Sequence, residues 1–311
     1  MLAIIINPKS GGRTYRRQRL YLFRLLKSRQ EEFVYRVTRY ASHATEIAKE
    51  LVESGYRTFL VLGGDGTLSE VIDGVMHADI SDRSAISIGL MPRGTGNDWG
   101  RYWGLNHKYK RSLDIFFNHS RHQPIDIGCL SLRRAGVEEK HYFINSVGFG
   151  IDAETCKRAD RLKRYVGSHS INYFFALLSA LFSHRSRSVV ITTDDGQCLS
   201  QPMLTMNIGN GPFSGGGIRQ NPQADPTDGH FDAMFVSRLT GSRVFQALPK
   251  LFNGRLSEVD FIHNFRAKDI MLQCDGYTVF EKDGIVIDAC GPYRISIIPR
   301  AIKMVVPFFG N

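Results

Sequence analysis

The stretch Phe59–Val71, FLVLGGDGTLSEV, decides how this chain is read. Phe59 to Leu62 is an apolar run of strand length. Gly63, Gly64, Asp65, Gly66 and Thr67 follow as a turn, after which Leu68, Val71, Ile72 and Val75 recur at helical spacing. Strand, glycine turn and helix in that order outline a phosphate site. Glycine permits backbone angles closed to other residues and lets a bulky anion approach main-chain N–H groups, while the helix offers its positive end. A carboxylate at Asp65 would by itself repel phosphate, and a divalent cation bridging the two resolves the conflict. The competing reading is a tight turn closing a core strand, with Asp65 capping the helix.

Working outward, the same unit recurs on both sides. Ile4 to Ile6 is a short strand that stops at Asn7, Pro8, Lys9, Ser10, Gly11 and Gly12. An amphipathic helix follows, with Tyr15, Leu22, Leu25 and Leu26 inward and its arginines outward. No Gly-Lys pair occurs in the sequence, so this is not a Walker A loop. Phe33–Val37 reads as a strand, Thr38–Ser42 as a turn and Ala44–Glu53 as a helix. Beyond the central turn, the strand Ile86–Leu90 ends in Met91, Pro92, Arg93, Gly94, Thr95, Gly96, Asn97 and Asp98. In a parallel sheet such turns share one edge, where ligands of open α/β folds bind. Asp65 and Asp98 then fall on that edge in adjacent turns, a pairing that favours a metal or phosphate site over two separate caps.

After Leu113–Phe117 the pattern changes. Ile125–Ser131, Tyr142–Ser146, Val189–Thr193, Met203–Gly209, Phe231–Val236, Phe261–Ile262, Ile270–Gln273, Ile295–Ile298 and Ile302–Val306 read as strands, interrupted by helices over Leu162–Phe182 and Arg243–Phe252. A run of βα units followed by a run of strands predicts an α/β protein of two domains, with the boundary near Pro124–Gly128. Asp126, between Ile125 and Ile127, is either an edge residue facing solvent or a member of a buried polar network.

Composition narrows the field. A chain of 311 residues is long enough for two cores. It begins MLAIIINPKSGG, without a basic n-region, which predicts no signal peptide. Cys129, Cys156, Cys198, Cys274 and Cys290 form no CxxC pair and no zinc spacing, as in a reducing cytoplasm. The longest apolar run, Ile171–Phe182, falls short of the roughly 20 residues that span a bilayer. The net charge of +10 predicts an anionic partner. The basic runs Arg13–Arg29 and Lys157–Arg164 lack a recognition motif and aromatic interleaving, which argues against nucleic acid as that partner.

With GGDGT at Gly63–Thr67, PRGTGND at Pro92–Asp98 and PIDIG at Pro124–Gly128, the chain closely resembles the bacterial diacylglycerol kinase family of soluble lipid kinases, whose catalytic domain is shared with sphingosine and ceramide kinases. The resemblance runs nearly end to end, through NPKSGG at Asn7–Gly12, SVGFGID at Ser146–Asp152, GNGPFSGGG at Gly209–Gly217, TDGHFD at Thr227–Asp232 and the late pair Asp283–Gly284. It implies a Rossmann-like nucleotide-binding α/β domain over residues 1–126, a β-sandwich-dominated lipid-substrate domain over 127–299, an active site in the cleft between them, and a return of 300–311 to the first domain. The family's nucleotide contacts carry over to Asn7, Pro8, Lys9, Ser10, Gly11, Thr38, Gly64, Asp65, Gly66, Thr67, Leu68, Ser69, Glu70 and Thr95. Its aspartate network around a catalytic Mg2+ falls on Asp65, Asp98 and Asp126, which decides Asp126 in favour of function. A second, structural magnesium site falls on Asp225, Asp228 and His230, commonly with main-chain oxygens at the outer two positions. The same TDGHFD stretch also reads as a hairpin turn.

The resemblance departs at the C-terminal motif, where Asp283-Gly284-Ile285 stands in place of the family's Asp-Gly-Glu. Asp283 would be the acceptor of the substrate hydroxyl's proton, with Glu281 and Asp288 as neighbouring carboxylates. The expected activity is Mg2+-dependent transfer of the γ-phosphate of ATP to a lipid hydroxyl, by alignment and charge neutralisation. The expected partners are the lipid and, through the basic helices, an anionic membrane surface contacted peripherally from the cytoplasm, each well-placed Lys or Arg contributing about 1 kcal/mol. Pairing with a second copy as a homodimer is open. The stripe Tyr173, Phe174, Phe175, Leu177, Leu178, Leu181 and Phe182 reads as core in preference to an acyl-chain portal. Two alternatives stand beside the lipid kinase: a kinase for a soluble acceptor, resembling the NAD kinases, and a homologue that binds nucleotide and membrane without transferring phosphate.

Overall fold

The computed structural model describes residues 1–11, 15–105, 109–166, 170–183, 186–237, 249–250, 253, 255, 258–274 and 277–308. The chain divides into two compact units, Met1–Ile125 with Arg300–Asn311, and Asp126–Pro299.

The first unit runs β1 (Leu2–Ile6), α1 (Tyr15–Ser28), β2 (Phe33–Val37), α2 (His43–Glu53), β3 (Thr58–Gly63), α3 (Asp65–His77), β4 (Ser87–Pro92), α4 (Asp98–Tyr102) and α5 (Tyr109–Asn118). β1 pairs in parallel with β2 and β3, and β3 with β4, in registers that set Ile6 beside Val37 and Leu62, and Gly63 beside Pro92. The carboxyl ends of these strands are therefore level. Every residue of β1 is buried, as a parallel strand covered on both faces requires. α2 buries Ala44, Ile47, Ala48, Leu51 and Val52, one stripe at helical spacing. It lies so close to α3 that a Cβ on Gly74 would fall 2.2 Å from the Thr45 carbonyl oxygen.

The second unit continues through β5 (Ser120–Arg134), β6 (Val137–Phe143), β7 (Ser146–Gly150), α6 (Ile151–Val166), α7 (Ser170–Ser183), β8 (Arg187–Thr193), β9 (Cys198–Met203), β10 (Thr205–Gly209), β11 (Phe231–Val236), β12 (Ile262–Ala267), β13 (Asp269–Cys274), β14 (Tyr277–Lys282), β15 (Ile285–Cys290) and β16 (Tyr293–Pro307). One antiparallel sheet has the order β12-β11-β10-β7-β14-β15. Its inward residues Val147, Phe149, Ile208, Phe231, Phe235 and Phe280 pack with Leu130, Val189, Ile191, Leu272, Tyr293 and Ile295 from β5, β8, β13 and β16. That is the core of a β-sandwich. The chain ends by giving Lys303, Met304 and Val305 to the first unit, parallel to Ser87, Ile88 and Gly89 of β4.

Several elements differ from the sequence reading. The helix expected from Leu162 begins at Ile151, and a second helix starts at Ser170. The opening turns of α6 carry Asp152, Glu154, Lys157 and Arg158, too polar for apolar periodicity to reveal. The strands expected at Ile295–Ile298 and Ile302–Val306 are one strand, with Arg300 in the left-handed region at φ 49°. β14 and β15 form a hairpin that the alternation of Tyr277–Cys290 did not disclose. Asp283 and Gly284 turn it with φ values of 49° and 81°, the signs a type I′ turn demands. The helix expected over Arg243–Phe252 lies, apart from 249–250, outside the described residues. Leu177 and Leu181 pack in a core with Ile151, Leu204 and Met234, whereas Phe175 is exposed. The side chains of Tyr173, Phe174 and Phe182 lie outside the described residues. No helix among the described residues is long and apolar enough to cross a membrane.

Candidate phosphate site

In the first unit the turns after β1, β3 and β4 are tied to one another along the carboxyl edge of the sheet. The Asn7 amide nitrogen donates to the Thr67 hydroxyl at 2.9 Å, and its oxygen accepts from the Lys9 N–H at 3.0 Å. Arg93 N–H donates to the Gly63 carbonyl at 2.8 Å. The Asn97 side chain accepts from Gly94 N–H at 2.7 Å and donates to the Gly94 carbonyl at 2.6 Å, closing the turn after β4 upon itself.

Gly64 and Gly94 are the closest approach between two of these turns. A Cβ on Gly64 would lie 2.7 Å from the Gly94 Cα, so neither position accepts a side chain. Around Gly66 nothing lies within 4 Å of the corresponding point, which leaves open space over the start of α3. The N–H groups of that first turn have no intrahelical partners, and they face a helix end whose dipole favours an anion.

Asp65 lies in this turn and accepts from the Asp98 and Trp99 N–H groups at 3.0 and 3.2 Å. Its carboxylate thus caps α4 and brings the Asp98 backbone into contact, while Asp98 itself is buried, with its carboxylate 4.0 Å from Arg101 Nε. Thr38 is buried, and its N–H donates to the Ile6 carbonyl at 2.9 Å. Glu70 accepts from Ser42 and Ala44 N–H at 2.9 and 3.2 Å, holding the start of α2. Leu68 and Ser69, two of the expected nucleotide contacts, are fully buried. Pro8, Lys9, Ser10, Gly11 and Thr95 line the turns with partly or fully exposed surface. Arg93, absent from the expected contacts, is 8% exposed and stands against this rim. Its only signal in the sequence is a basic residue inside PRGTGND.

The second unit carries its own polar cluster. Asp126 is fully buried; its N–H donates to the Pro226 carbonyl at 2.7 Å and its carboxylate accepts from Gly229 N–H at 2.7 Å. Asn210, also fully buried, donates to the carbonyls of Asp126 at 3.0 Å and Ile144 at 2.7 Å. Asp283 then accepts from the N–H groups of Ile144, Asn145 and Ser146 at 3.0, 2.8 and 3.2 Å. One chain of bonds therefore joins Asp126 and Asp283 through Asn210, a residue the sequence reading passed over.

Asp225, Asp228 and His230 sit in the loop that Asp126 holds, and each side chain has partners of its own, His230 meeting the Asp228 carbonyl at 2.9 Å. Asp225 accepts from the Thr227 N–H and hydroxyl at 3.0 and 2.7 Å. Asp228 accepts from His230 N–H at 3.0 Å and pairs with Arg266. Among the described residues no group of three or more His, Cys, Asp and Glu side chains is arranged to hold a metal ion.

Of the two carboxylates flanking Asp283, Asp288 is exposed and pairs with Lys157 at 3.1 Å, while Glu281 is buried and accepts from Gly284 N–H at 2.7 Å. Burial, and then the Asp152 carboxylate, push the Glu281 pKa well above the usual range. Asp152 accepts from Asn207 and Gln220 at 2.9 and 2.8 Å, and burial raises its pKa to about 6. Gly148 makes room for both acids: a Cβ there would lie 2.7 Å from Glu281 Oε1 and 3.0 Å from Asp152 Oδ2. Since the folded state holds the Asp152 proton more tightly than the unfolded chain, stability is greatest below the unfolded pKa and falls as pH rises from about 4 to about 6. The expected loss from Asp152 is roughly 3 kcal/mol, and Asp152→Asn makes the slope shallower in urea titrations at successive pH values, leaving the part that Glu281 contributes in the same direction.

These features define a protein class: a parallel α/β unit with a glycine-lined rim at the carboxyl edge of its sheet, followed in the chain by a β-sandwich unit. Comparison with known proteins agrees. Residues 1–130 match the family model described as diacylglycerol kinase catalytic domain, and residues 145–306 match the one described as YegS C-terminal NAD kinase beta sandwich-like domain. A diacylglycerol kinase of Mycobacterium tuberculosis (strain ATCC 25618 / H37Rv) is 27% identical over 98% of this chain and 95% of that protein. One of Staphylococcus carnosus (strain TM300) is 30% identical over 76% of this chain and 72% of that protein. A crystal structure of a diacylglycerol kinase from Bacillus anthracis str. Sterne shares the fold, with a TM-score of 0.72 at 21% identity over 98% and 96% of the two chains. The chain belongs to the diacylglycerol kinase family and is an enzyme of the lipid-kinase class.

Proposed function

We propose that the protein transfers the γ-phosphate of ATP to the hydroxyl of diacylglycerol or a related lipid. The observation that carries this reading is the rim of the first unit, where an open glycine turn at a helix start adjoins Asp65 and the Asp98 turn it caps. Phosphoryl transfer asks a protein chiefly to align reactants and neutralise charge. The N–H groups of the glycine turn would hold the nucleotide's phosphates. Mg2+ would be held by Asp65 and Asp98, whose carboxylate oxygens are the hard donors that ion takes, and it would offset charge developing on the moving group. Asp126, the third acid of the expected network, belongs to the second unit and already carries its bond to Gly229. Asp283 is the proposed proton acceptor.

Peripheral binding to anionic membrane belongs to the same reading. On α1, Arg16, Arg17, Arg24 and Lys27 are exposed beside Leu20 and Tyr21, which are 52% and 36% exposed. A basic face carrying apolar side chains is suited to an anionic lipid surface.

A second reading, nucleotide and membrane binding without transfer, is favoured by Ile285 in place of the family's glutamate and by the three N–H groups engaging Asp283. Labelled ATP with mixed lipid vesicles and with NAD, followed by phase extraction, separates the outcomes. Label in the organic phase is expected. Label on NAD overturns the lipid acceptor, and nucleotide binding with no transferred label supports the second reading.

A further inference from the structure

We propose that the Arg93 guanidinium is the receptor for the terminal phosphates of the donor nucleotide. The inference rests on the reading that the rim holds a nucleoside triphosphate, and it assigns a residue that sequence comparison of the glycine turns does not reach. Arg93 directly follows β4, and its guanidinium lies against Gly11 in the turn after β1. A Cβ on Gly11 would lie 2.4 Å from Nη2, 2.5 Å from Nε and 2.8 Å from Cζ, so glycine is what admits the guanidinium there. Gly11 also has φ +78°, which disfavours any side chain. The guanidinium lies 5.7 Å from the centre of the Tyr15 ring, a cation–π contact.

None of its three nitrogens, Nε, Nη1 and Nη2, has a hydrogen-bond partner among the described residues, although the side chain is more than nine-tenths buried. The Tyr109 hydroxyl is likewise buried without a partner among them. Burial draws the Arg93 pKa down, but arginine remains cationic at any working pH. A buried cation whose N–H donors find no partner among the described residues is costly to keep unless an anion completes it. The planar fork fits two oxygens of a phosphate, and the residue's own N–H is bonded to Gly63 at the head of the glycine turn whose N–H groups would hold the same nucleotide. A role in packing alone would be filled as well by an apolar side chain.

The test uses the full-length protein as wild type, Arg93→Met and Arg93→Lys, titrated calorimetrically with ATP plus magnesium chloride, with pyrophosphate and with adenosine. Arg93→Met is expected to weaken ATP and pyrophosphate by about 30- to 100-fold and adenosine by less than about twofold, with partial recovery in Arg93→Lys. The ligand-free thermal midpoint of Arg93→Met should equal or exceed that of wild type, because no charge is left stranded. Equal losses for ATP and adenosine, or unchanged ATP binding, overturn the proposal. If wild type binds pyrophosphate through Arg93 yet does not bind ATP, the nucleotide reading falls and the anion receptor stands. If wild type binds ATP and Arg93→Met binds it equally well, the nucleotide reading stands and the receptor falls.

Discussion

Asp65→Ala should remove phosphate transfer, a loss on the order of 10³-fold or more, and should also lower stability by about 1–3 kcal/mol. Both effects follow from the two jobs of one carboxylate. Its oxygens accept from the Asp98 and Trp99 N–H groups, so it fixes the start of α4, and it also places negative charge on the rim where a cation would sit. Alanine deletes both, and the two backbone donors must find water or remain unpaired. Asparagine separates them. It keeps one acceptor oxygen but sets its NH2 against the second N–H, so Asp65→Asn should melt no lower than Asp65→Ala while transfer is still lost. An Asp65→Asn enzyme retaining transfer within tenfold of wild type would show that the charge is not used and would overturn the metal assignment.

Gly64→Ala is expected to be as damaging to activity and worse for the fold. The added methyl would fall 2.7 Å from the Gly94 Cα and 3.2 Å from the Gly94 nitrogen, which are backbone atoms and cannot swing aside. The turn after β4 is braced by Asn97, and the preceding Arg93 N–H is bonded to Gly63. Relief therefore means parting the two turns and losing that register, a cost of about 1–3 kcal/mol of overpacking. Gly94→Ala meets Gly64 Cα at 2.8 Å and should behave the same way. By contrast Gly66→Ala has open space and should leave the melting temperature nearly unchanged while crowding any bound phosphate. Thermal melts and ATP titrations of the three variants test the contrast. If Gly64→Ala melts like wild type, the two turns do not pack as described.

Much of the first unit was legible in the chain itself. Strand, turn and helix alternate from Ile4 to Asp98 because parallel strands need apolar runs and each crossover needs a helix with one apolar stripe. The level registers of β1, β3 and β4 then carry Asp65 and Asp98 to one edge. The second unit was less legible. The sandwich was expected from its strands, but β7 is short and glycine-rich in SVGFG, and the strands on either side of the Asp283-Gly284 turn, β14 and β15, were not among those expected. The early start of α6 escaped because its first turns are charged.

The amino-acid sequence by itself determined which residues can make strands, helices and glycine turns, since those choices depend on side chains within a few positions of one another. It also determined the family, through motifs in a fixed order. Only the tertiary structure decided which polar groups are satisfied. Asp283 meets Asn145 across 138 positions and Asp126 meets Gly229 across 103, and no local pattern encodes such pairs. The burial of Arg93 is of the same kind: a guanidinium in a turn motif reads as solvated until packing against Gly11 and Tyr15 removes the water and leaves its donors without partners among the described residues.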